Sequence, residues 1–511
     1  MNTKVIIDGK SLTLDDFIAV TRHYAHVEFS DEAVQAMQKS RDLVESYVEN
    51  EVVRYGITTG FGSLSEVTIN KNDTAKLQEN LIVTHAVAVG KPFAEEIVRG
   101  IMLLRANSIA KGNSGVRVST VQLLLDMLNE GVTPVVPEQG SLGASGDLAP
   151  LSHVVLPMLG YGEVIYKGKK YLGKAGMKKA GLQIIQLSSK EGLGLNNGTQ
   201  AMTSVGAHAV YDAVRTAKLA DISAMLTFEA LQGIRTAYDP RVQEVRGHVG
   251  QKASAINFLN LIEGSTSATD QGELRVQDAY ALRCAPQVHG ACKDAINFVK
   301  CKVEIELNAA TDNPLIFPET EDVISGGNFH GEPMAIPFDF LKIALAELAD
   351  IAERRIERLV NKNLSNGLPS MLVKKAGLNS GFMIIQYTAA SLVSENKVIA
   401  HPASVDSIPS CENQEDHVSM GTTAARQARQ ILHNVQHVLS LEILSACQGI
   451  DIRKVEMLGK GTKIAYDMVR EKVSYMKNDR PLKPDIDKVD ELVFSHEMVT
   501  AVEKEVALLE I

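Results

Sequence analysis

The sequence predicts an all-α fold, in which a loop-rich N-terminal domain with little β-structure precedes a long antiparallel helical bundle. Two observations support this prediction. Apolar residues recur at steps of three and four through long stretches of the second half. In the first half, Gly-rich loops alternate with shorter helical patterns. Because 511 residues allow more than one domain, we predict a boundary after Gly198, which gives domains over 1–198 and 199–511.

The clearest helical pattern lies between Pro337 and Lys362. Its apolar residues are three or four positions apart, with Glu and Arg between them, and Pro337 suits a helix start. Long helices are also predicted from about Thr199 to Leu231 and from about Thr422 to Gln448. A further helix follows Gly381 and ends near His401-Pro402. Helices of this length are typical of a bundle.

Shorter elements fill the remaining chain. Loops are predicted over Tyr55–Gly62 and Pro134–Pro150, where Gly and Pro are frequent. A strand pair is predicted at Gly162–Tyr166 and Lys170–Leu172, joined by a turn at 167–169. The two prolines of Asp479–Asp485 indicate a linker before the C-terminal tail. The sequence contains no internal repeat and no low-complexity segment.

Composition and charge exclude several function classes. The hydrophobic fraction of 45% and the charged fraction of 22% are those of an ordinary globular protein. A net charge of -10 argues against nucleic acid or an anionic membrane surface as a partner, because both select basic proteins. No stretch long enough to cross a bilayer lacks charges or helix breakers.

Cysteine usage and the N-terminus indicate the compartment. The five cysteines are odd in number and form no C-x-x-C pair, so neither a disulfide framework nor a zinc site is expected. The N-terminus, Met1 to Lys4, leads directly into folded-looking sequence without the apolar region of a signal peptide. We therefore expect a cytoplasmic protein with reduced thiols and no metal.

One short run has unusual chemical potential, namely Gly143 to Pro150 with the sequence GASGDLAP. The amide nitrogen of Gly146 can attack the carbonyl carbon of Ala144, and loss of two waters, one carrying the hydroxyl of Ser145, leaves a five-membered ring with an exocyclic methylene. Gly146 lacks a Cβ and allows the close approach. Ser145 supplies the β-hydroxyl that leaves. The product is an electrophile made from the chain itself.

Three alternatives apply to this run. Short Gly/Ala/Ser tripeptides are most often plain turns. A nucleophile elbow needs G-x-S-x-G, but Asp147 stands at the position of its second glycine. The spacing of Gly140, Gly143 and Gly146 is not that of a dinucleotide-binding loop. The full eight-residue run resembles the signature of the aromatic amino-acid ammonia-lyases.

This resemblance implies a prosthetic group, 4-methylidene-imidazole-5-one (MIO), formed from Ala144, Ser145 and Gly146, with no dissociable cofactor. It also implies a fold like that of the fumarase/aspartase lyases. The resemblance covers most of the chain, from Tyr55 to Met420. At five further places the sequence is similar to the histidine-specific branch of the family.

Two of these places flank the tripeptide in sequence. In YGITTGFG, Tyr55 matches a family tyrosine near the substrate β-carbon and is a candidate general base; the alternative is a tyrosine packed over a glycine turn. Thr58 stands where the family usually has Asn. In NNGTQ, Asn197 matches an asparagine that donates to the ring oxygen. Asn197 is equally suited to cap the following helix.

The third place is QDAYALRCAPQ, which begins at Gln277. If the segment is helical, Gln277, Tyr280 and Arg283 lie roughly on one face. The resemblance makes Arg283 the residue that binds the substrate carboxylate, Tyr280 a second acid/base candidate and Gln277 a substrate-binding residue. Taken alone, an arginine at such a position is usually solvated or ion-paired. Ala279 replaces the usual family proline.

The remaining places bear on the substrate ring. In GGNFHGEP, Phe329 fits an aromatic wall, although core packing is the commoner fate of a phenylalanine. In NQEDHVSM, Glu415 faces the substrate imidazole in the family, and phenylalanine- and tyrosine-specific relatives lack a carboxylate there. Histidine-type relatives carry a small hydroxyl residue before a histidine, as in Thr84-His85. Without the resemblance, Glu415 is a solvated cap and His85 a helix histidine.

The resemblance thus implies the elimination of ammonia from L-histidine to give trans-urocanate, by a homotetramer with active sites shared between subunits. Three alternatives stay open. They are a tyrosine or phenylalanine ammonia-lyase or aminomutase, a fumarase-type lyase without MIO, and a binding protein on a degenerate lyase fold. Glu415 and Thr84-His85 argue against the first, and Ala144-Ser145-Gly146 against the second. The intact set of candidate residues argues against the third.

Overall fold

The computed structural model describes residues 4–62, 67–70 and 73–511. Met1–Thr3, on which part of the expectation about the N-terminus rests, lie outside the described residues. The chain divides into two compact units. The first contains residues 1–208, 300–339 and 402–426, and the second contains 209–299, 340–401 and 427–511. These units are discontinuous in sequence, and a single domain boundary after Gly198 stays a prediction.

Helices dominate both units, with 59% of residues in helix and 8% in strand. The helices are α1 Leu14–His23, α2 Asp31–Glu49, α3 Thr74–His85, α4 Glu95–Ala110, α5 Val118–Asn129, α6 Leu148–Val155, α7 Gly173–Lys179, α8 Glu191–Asn196, α9 Gln200–Ala230, α10 Pro240–Glu244, α11 Val249–Leu261, α12 Tyr280–Arg283, α13 Ala285–Glu306, α14 Glu332–Val360, α15 Met383–Ile399, α16 Gly421–Arg453, α17 Lys460–Lys472, α18 Lys483–Phe494 and α19 Glu497–Val506. The prediction of a mostly helical fold with little β-structure is confirmed.

The strands are short and form two- and three-stranded sheets. They are β1 Lys4–Ile7, β2 His26–Phe29, β3 Val89–Pro92, β4 Val132–Pro134, β5 Pro137–Gln139, β6 Glu163–Tyr166, β7 Lys169–Leu172, β8 Leu315–Phe317 and β9 Asp322–Ile324. β1 pairs with β2 in parallel. The pairs β3–β5, β4–β6, β6–β7 and β8–β9 are antiparallel.

The long helices were predicted closely, with small differences at their ends. α9 and α15 begin and end within two residues of the predicted bounds, and α16 continues to Arg453, five residues beyond Gln448. α14 begins at Glu332, so Pro337 lies inside the helix rather than at its start. Pro337 lacks only the N–H that would bond to the residue four positions earlier, and the helix continues past it.

Three shorter predictions need correction. The loop predicted over Pro134–Pro150 contains β5, which pairs with β3, and ends where α6 begins at Leu148. The predicted linker Asp479–Asp485 ends in the first turn of α18, where Pro484 fits because that turn needs no donor. The predicted hairpin is present, but its turn is the pair Lys167-Gly168. Both residues have positive φ, as a two-residue hairpin turn requires.

Segments of the long helices pack together in the second unit around buried charges. Glu442 of α16 is fully buried and accepts from Arg355 of α14, Ser223 and Thr227 of α9. Three hydrogen bonds link α9 to α16, namely Thr216 with Gln436, Thr227 with Glu442, and Ala230 with Arg453. Residue numbers rise together in both helices, so the two helices run in the same direction. A strictly antiparallel arrangement therefore does not hold for this pair.

A second buried group in this unit centres on Asp221 of α9. Its carboxylate contacts Lys293 Nζ at 2.6 Å and His289 Nδ1 at 2.8 Å, and all three side chains are fully buried. Burial of charge is costly unless each ion is paired. Loss of one of these side chains would therefore leave a buried partner without its charge-assisted bond. Among the described residues, the helices contain no apolar stretch long enough to cross a membrane.

Candidate active site

The tripeptide Ala144-Ser145-Gly146 lies in the first unit, in the bend that precedes α6. Gly146 has φ +70° and forms a parallel bridge with Gly198. A Cβ at Gly146 would lie 2.2 Å from the carbonyl oxygen of Gly198, so only glycine fits without displacing backbone. Ala144 is buried and Ser145 is half-buried. The bend is thus held against the start of α9 by main-chain contact.

Asn197 lies beside Ser145, at the end of α8. Its Nδ2 donates to the carbonyl oxygen of Ser145 at 2.7 Å, which is the interaction expected of a group that stabilises charge on that oxygen. The Asn197 carbonyl oxygen accepts from Arg105 Nη1 at 2.7 Å. The backbone of Asn197 is extended, and no bond from its side chain to α9 is observed in the described contacts. The amide therefore faces the tripeptide.

Asp147 anchors the bend from the other side. This buried carboxylate accepts from Ser141 Oγ at 2.7 Å, from the N–H of Met202 at 2.8 Å and from Thr422 Oγ1. Its own N–H donates to the Gly198 carbonyl oxygen. Burial raises the pKa of the Asp147 carboxyl, while these hydrogen bonds oppose the rise. The residue after the tripeptide is therefore fixed to the first turns of α9 and α16.

Glu415 comes from a distant segment and points at the tripeptide. The Ser145 Oγ donates to Glu415 Oε1 at 2.7 Å, and Ser410 Oγ donates to Glu415 Oε2 at 3.0 Å. Ser410 and Glu415 also form an antiparallel bridge that closes the loop between them. A carboxylate thus lies within hydrogen-bond distance of the residue predicted to become the electrophile.

Tyr55 is in the loop after α2, and the neighbouring Ile57 is fully buried against Val44 and Ile316. The Tyr55 hydroxyl accepts from the N–H of Gly62 at 3.2 Å. Burial raises the pKa of the Tyr55 phenol, and the negative charge of Glu415 adds to this rise, whereas the Gly62 N–H lowers it. The backbone donor therefore favours the phenolate that a tyrosine base would need.

His85 is the last residue of α3. Burial lowers the pKa of the His85 imidazole, and Glu415 acts against this as a nearby negative charge. The Thr84 hydroxyl donates to the Asn80 carbonyl oxygen at 2.7 Å and lies 3.2 Å from His85 Nδ1. Because the Thr84 proton is used in that bond, its oxygen can accept from a protonated Nδ1. His85 Nε2 would then be an acceptor.

Phe329 is half-buried in the loop before α14. Two residues later, the N–H of Gly331 donates to the carbonyl oxygen of Gly143 at 3.3 Å. This contact brings the predicted aromatic-wall segment to the tripeptide loop. The first unit therefore assembles Tyr55, His85, the tripeptide, Asn197 and Glu415, with the Phe329 loop touching the same bend.

Gln277, Tyr280 and Arg283 belong to the second unit. A shared helix face required the whole segment to be helical, and this condition is not met, because α12 contains only Tyr280–Arg283 and Gln277 precedes it. The Arg283 guanidinium lies over the Tyr280 ring, 4.8 Å from its centroid, and Arg283 Nε donates to the Asp278 carbonyl oxygen. The Tyr280 side chain is 70% exposed. Gln277 and Arg283 line an open pocket of about 570 Å³.

Several residues that complete the site were missed by sequence reasoning. They are Ser410, which holds Glu415, Arg105, which holds the Asn197 backbone, and Ser141 and Thr422, which hold Asp147. Each acts across a long stretch of chain or through an irregular loop, so periodicity gives no signal for them. The one available signal was a charged residue next to a run of apolar residues, and Arg105, which follows Ile101–Leu104 in α4, shows it.

The donor set does not suggest a metal. Within the described ranges, no group of three or more His, Cys, Asp or Glu side chains is placed to hold a metal ion. All five cysteines are free thiols. The candidate site instead presents one hydroxyl, one carboxylate, one amide, a phenol and an imidazole near the bend at Gly146.

Comparisons with known proteins show the family. The profile of the family described as aromatic amino acid lyase matches residues 12–471. A relative from Alkaliphilus oremlandii named histidine ammonia-lyase is 59% identical over 505 residues, which cover 99% of this chain and 99% of that protein. The identity extends over both units.

Two solved structures are similar along the whole chain. Histidine ammonia-lyase from Trypanosoma cruzi is 42% identical with a TM-score of 0.92, over 98% of this chain and 95% of that one. Tyrosine aminomutase from Streptomyces globisporus is 38% identical with a TM-score of 0.96, over 99% of this chain and all of the other. The fold is therefore shared by relatives with different reactions.

Proposed function

Because the chain belongs to the aromatic amino acid lyase family, we propose that it eliminates ammonia from L-histidine and forms trans-urocanate, the first step of histidine degradation. One observation carries the choice of substrate. The carboxylate of Glu415 lies 2.7 Å from the hydroxyl of Ser145, and a carboxylate suits an imidazole ring rather than a phenyl or phenol ring. The 59% identity to a relative named histidine ammonia-lyase supports the same choice.

We propose that Ala144, Ser145 and Gly146 close into the MIO group. The residues present fit this group. The bend has no room for a Cβ at Gly146, and the Asn197 side-chain amide donates to the carbonyl oxygen of Ser145 at 2.7 Å. MIO supplies an electrophile that improves the amine as a leaving group. Asn197 then stabilises negative charge at that oxygen.

The other residues bind the substrate and move its proton. Tyr55 is proposed to remove the β-proton, with the Gly62 N–H stabilising its phenolate; Tyr280 is the second candidate for this role. Glu415 and His85 bind the imidazole, and Phe329 packs against the ring. Arg283 binds the carboxylate as a bidentate donor, beside Gln277.

We propose a homotetramer in which several subunits contribute to each site. Supporting this, Tyr280 and Val276 are each 70% exposed in the chain alone, although a substrate-binding segment is expected to be enclosed. Large apolar side chains of the second unit are also exposed, including Phe298, Phe340 and Tyr387. Exposed apolar clusters of this kind are typical of subunit interfaces.

We also propose a cytoplasmic location, which the free thiols support.

One assay tests the function. Purified protein is incubated separately with L-histidine, L-tyrosine and L-phenylalanine, and both ammonia and the absorbance of the unsaturated product are followed. We expect turnover of histidine to exceed the others by at least about two orders of magnitude, since the pocket pairs a carboxylate with the ring. Turnover of tyrosine, or a β-amino acid product, would instead favour an ammonia-lyase or aminomutase of that specificity. No turnover of any substrate would favour a binding protein.

A further inference from the structure

The two oxygens of Glu415 have different partners. Oε2 accepts from Ser410 Oγ at 3.0 Å, and Oε1 accepts from Ser145 Oγ at 2.7 Å. Under the proposed function, Ser145 loses its hydroxyl when the ring closes. Oε1 then loses this donor and becomes available to a ring N–H of the substrate, whereas the bond from Ser410 to Oε2 is unaffected by the loss.

The loop between Ser410 and Glu415 is unusually tight. Ser410 N–H donates to the Glu415 carbonyl oxygen at 2.9 Å, and Glu415 N–H donates back to the Ser410 carbonyl oxygen at 3.3 Å. Between them, Cys411, Glu412 and Asn413 have φ of 49°, 57° and 69°. Three consecutive non-glycine residues in the left-handed region are costly, and such strain persists only where the surroundings impose it. The loop therefore holds the Glu415 backbone in one place.

The backbone bonds fix the position of Glu415 but leave its side-chain torsions free. A carboxylate on a two-carbon stem can rotate about its terminal torsion, which has broad preferences. The Ser410 hydroxyl restricts this rotation by holding Oε2. A charge-assisted bond of this type is stronger than one between neutral groups.

We propose that Ser410 is a positioning residue for substrate recognition: its hydroxyl holds Oε2 of Glu415 so that Oε1 is directed at the substrate imidazole. This inference rests on the proposed function. It assigns to Ser410 an effect on imidazole-containing ligands that passes through Glu415. The Ser410 hydroxyl contacts the carboxylate and not the tripeptide.

The test uses Ser410→Ala, which keeps both backbone bonds of the loop and removes only the hydroxyl. Ser407→Ala is the matched control, because Ser407 lies in the same segment and its Oγ accepts from the Val418 N–H rather than contacting Glu415. We expect kcat/KM for histidine to fall about tenfold in Ser410→Ala and to change less than about twofold in Ser407→Ala. Ser410→Thr, which retains a hydroxyl, should have a kcat/KM for histidine within about threefold of the wild type. The similarly shaped Ser410→Val, which lacks the hydroxyl, should show the same loss as Ser410→Ala.

Binding separates positioning from general structural support. Ser410→Ala should weaken binding of trans-urocanate about tenfold and leave binding of trans-cinnamate, which carries phenyl in place of imidazole, within about twofold. In a Glu415→Ala background, Ser410→Ala should have no further effect on trans-urocanate, because the group it positions is gone. Calorimetric titration of each variant measures both ligands without requiring turnover.

Each contrary outcome is informative. Equal kinetics for Ser410→Ala and the wild type, equal losses for the two ligands, or a full loss from Ser410→Ala in the Glu415→Ala background would each overturn the role of Ser410 while leaving histidine turnover by the wild type in place. A wild-type protein that releases no ammonia from histidine would overturn the proposed function and this inference together. If Ser410→Ala does not fold, the Ser410→Thr and Ser410→Val pair gives the same comparison.

Discussion

The hydroxyl of Ser145 donates a 2.7 Å hydrogen bond to Glu415, a residue 270 positions later in the chain. Ser145 is the only residue of the tripeptide with a β-oxygen that can leave. Glu415 supplies the carboxylate that distinguishes an imidazole-binding site. The bond therefore joins the proposed origin of the electrophile to the proposed origin of specificity. Substitutions at the two ends should separate these properties.

Ser145→Ala should abolish the electrophile and nearly all activity, because no other atom of the tripeptide can leave to give the methylene. Loss of this activation should slow turnover by at least about three orders of magnitude. The chain has no tryptophan, so an absorbance band of MIO should stand out in the difference spectrum between the wild type and Ser145→Ala. Intact mass should show that only the wild type has lost two waters. Near-native turnover by the variant would refute the MIO assignment.

Gly146→Ala tests the crowded bend. Gly146 and Gly168 have nearly the same φ, +70° and +71°, but a Cβ at Gly146 would meet the Gly198 carbonyl oxygen at 2.2 Å, whereas a Cβ at Gly168 would meet nothing within 4 Å. Gly168→Ala should therefore cost about 1 kcal/mol, from the positive φ alone. Gly146→Ala should be more damaging to thermal stability and should block the loss of two waters seen by mass. Equal melting temperatures for the two variants would contradict the crowding.

The sequence predicted the long helices well because their signal is local. A repeat of apolar residues at three and four positions specifies a buried helix face, as in α9 and α14, whatever the rest of the chain does. The hairpin at 163–172 was predicted for the same reason, since Gly168 and the alternating residues around it are adjacent in sequence. Element ends were less exact, because proline is tolerated inside a first or second turn when its surroundings permit.

Candidate residues of the site could be predicted from the sequence, but their assembly could not. Family motifs gave Tyr55, Asn197 and Glu415, yet no local pattern indicates that Glu415 contacts Ser145 or that Ser410 holds it. A common helix face for Gln277, Tyr280 and Arg283 depended on a helical segment, but Ala279 is extended and the helix starts after it. Such contacts depend on loops and long-range packing, which residue spacing does not encode.

Glu415→Gln should specifically impair the turnover of histidine. The amide keeps the size of the side chain but lacks the charge that pairs with the substrate ring, so we expect kcat/KM for histidine to fall by at least about tenfold. The comparison is with trans-cinnamate binding, which should change little because a phenyl ring has no N–H to offer. Unchanged histidine kinetics in Glu415→Gln would remove the specificity assignment even if the protein is a lyase.

Arg283→Lys should weaken the binding of every amino-acid substrate and of every carboxylate ligand. Lysine keeps the positive charge but cannot form two parallel hydrogen bonds to a carboxylate. We expect the KM for histidine to rise about tenfold, and trans-urocanate and trans-cinnamate to lose affinity alike. A loss confined to imidazole-containing ligands would show instead that Arg283 acts on the ring.

His289 should make stability depend on pH. Burial lowers the pKa of this fully buried imidazole below its ordinary value, despite its bond to Asp221, and Arg355 and Lys293 lower it further. Below about pH 6.5 the unfolded chain binds a proton that the folded chain does not, so stability falls as pH falls, by at most about 1.4 kcal/mol per pH unit. His289→Gln should reduce the drop in melting temperature between pH 7.5 and 5.5, whereas the exposed His248→Gln should not. If the melting temperatures of both variants dropped equally between these pH values, the claim that His289 is neutral in the folded protein would be contradicted.

The last prediction concerns sites shared between subunits. Ser145 lies in the first unit and Tyr280 in the second, where the Tyr280 side chain is 70% exposed in a single chain. If the two residues meet across an interface of a closed assembly, then subunits carrying Ser145→Ala and subunits carrying Tyr280→Phe should complement each other. Mixed after reversible dissociation, some sites receive both wild-type residues and regain activity, whereas each variant dissociated and reassociated alone stays inactive. Light scattering should give a mass near four times the 55.4 kDa chain. A fully active monomer would refute the shared site and leave the chemistry of the tripeptide intact.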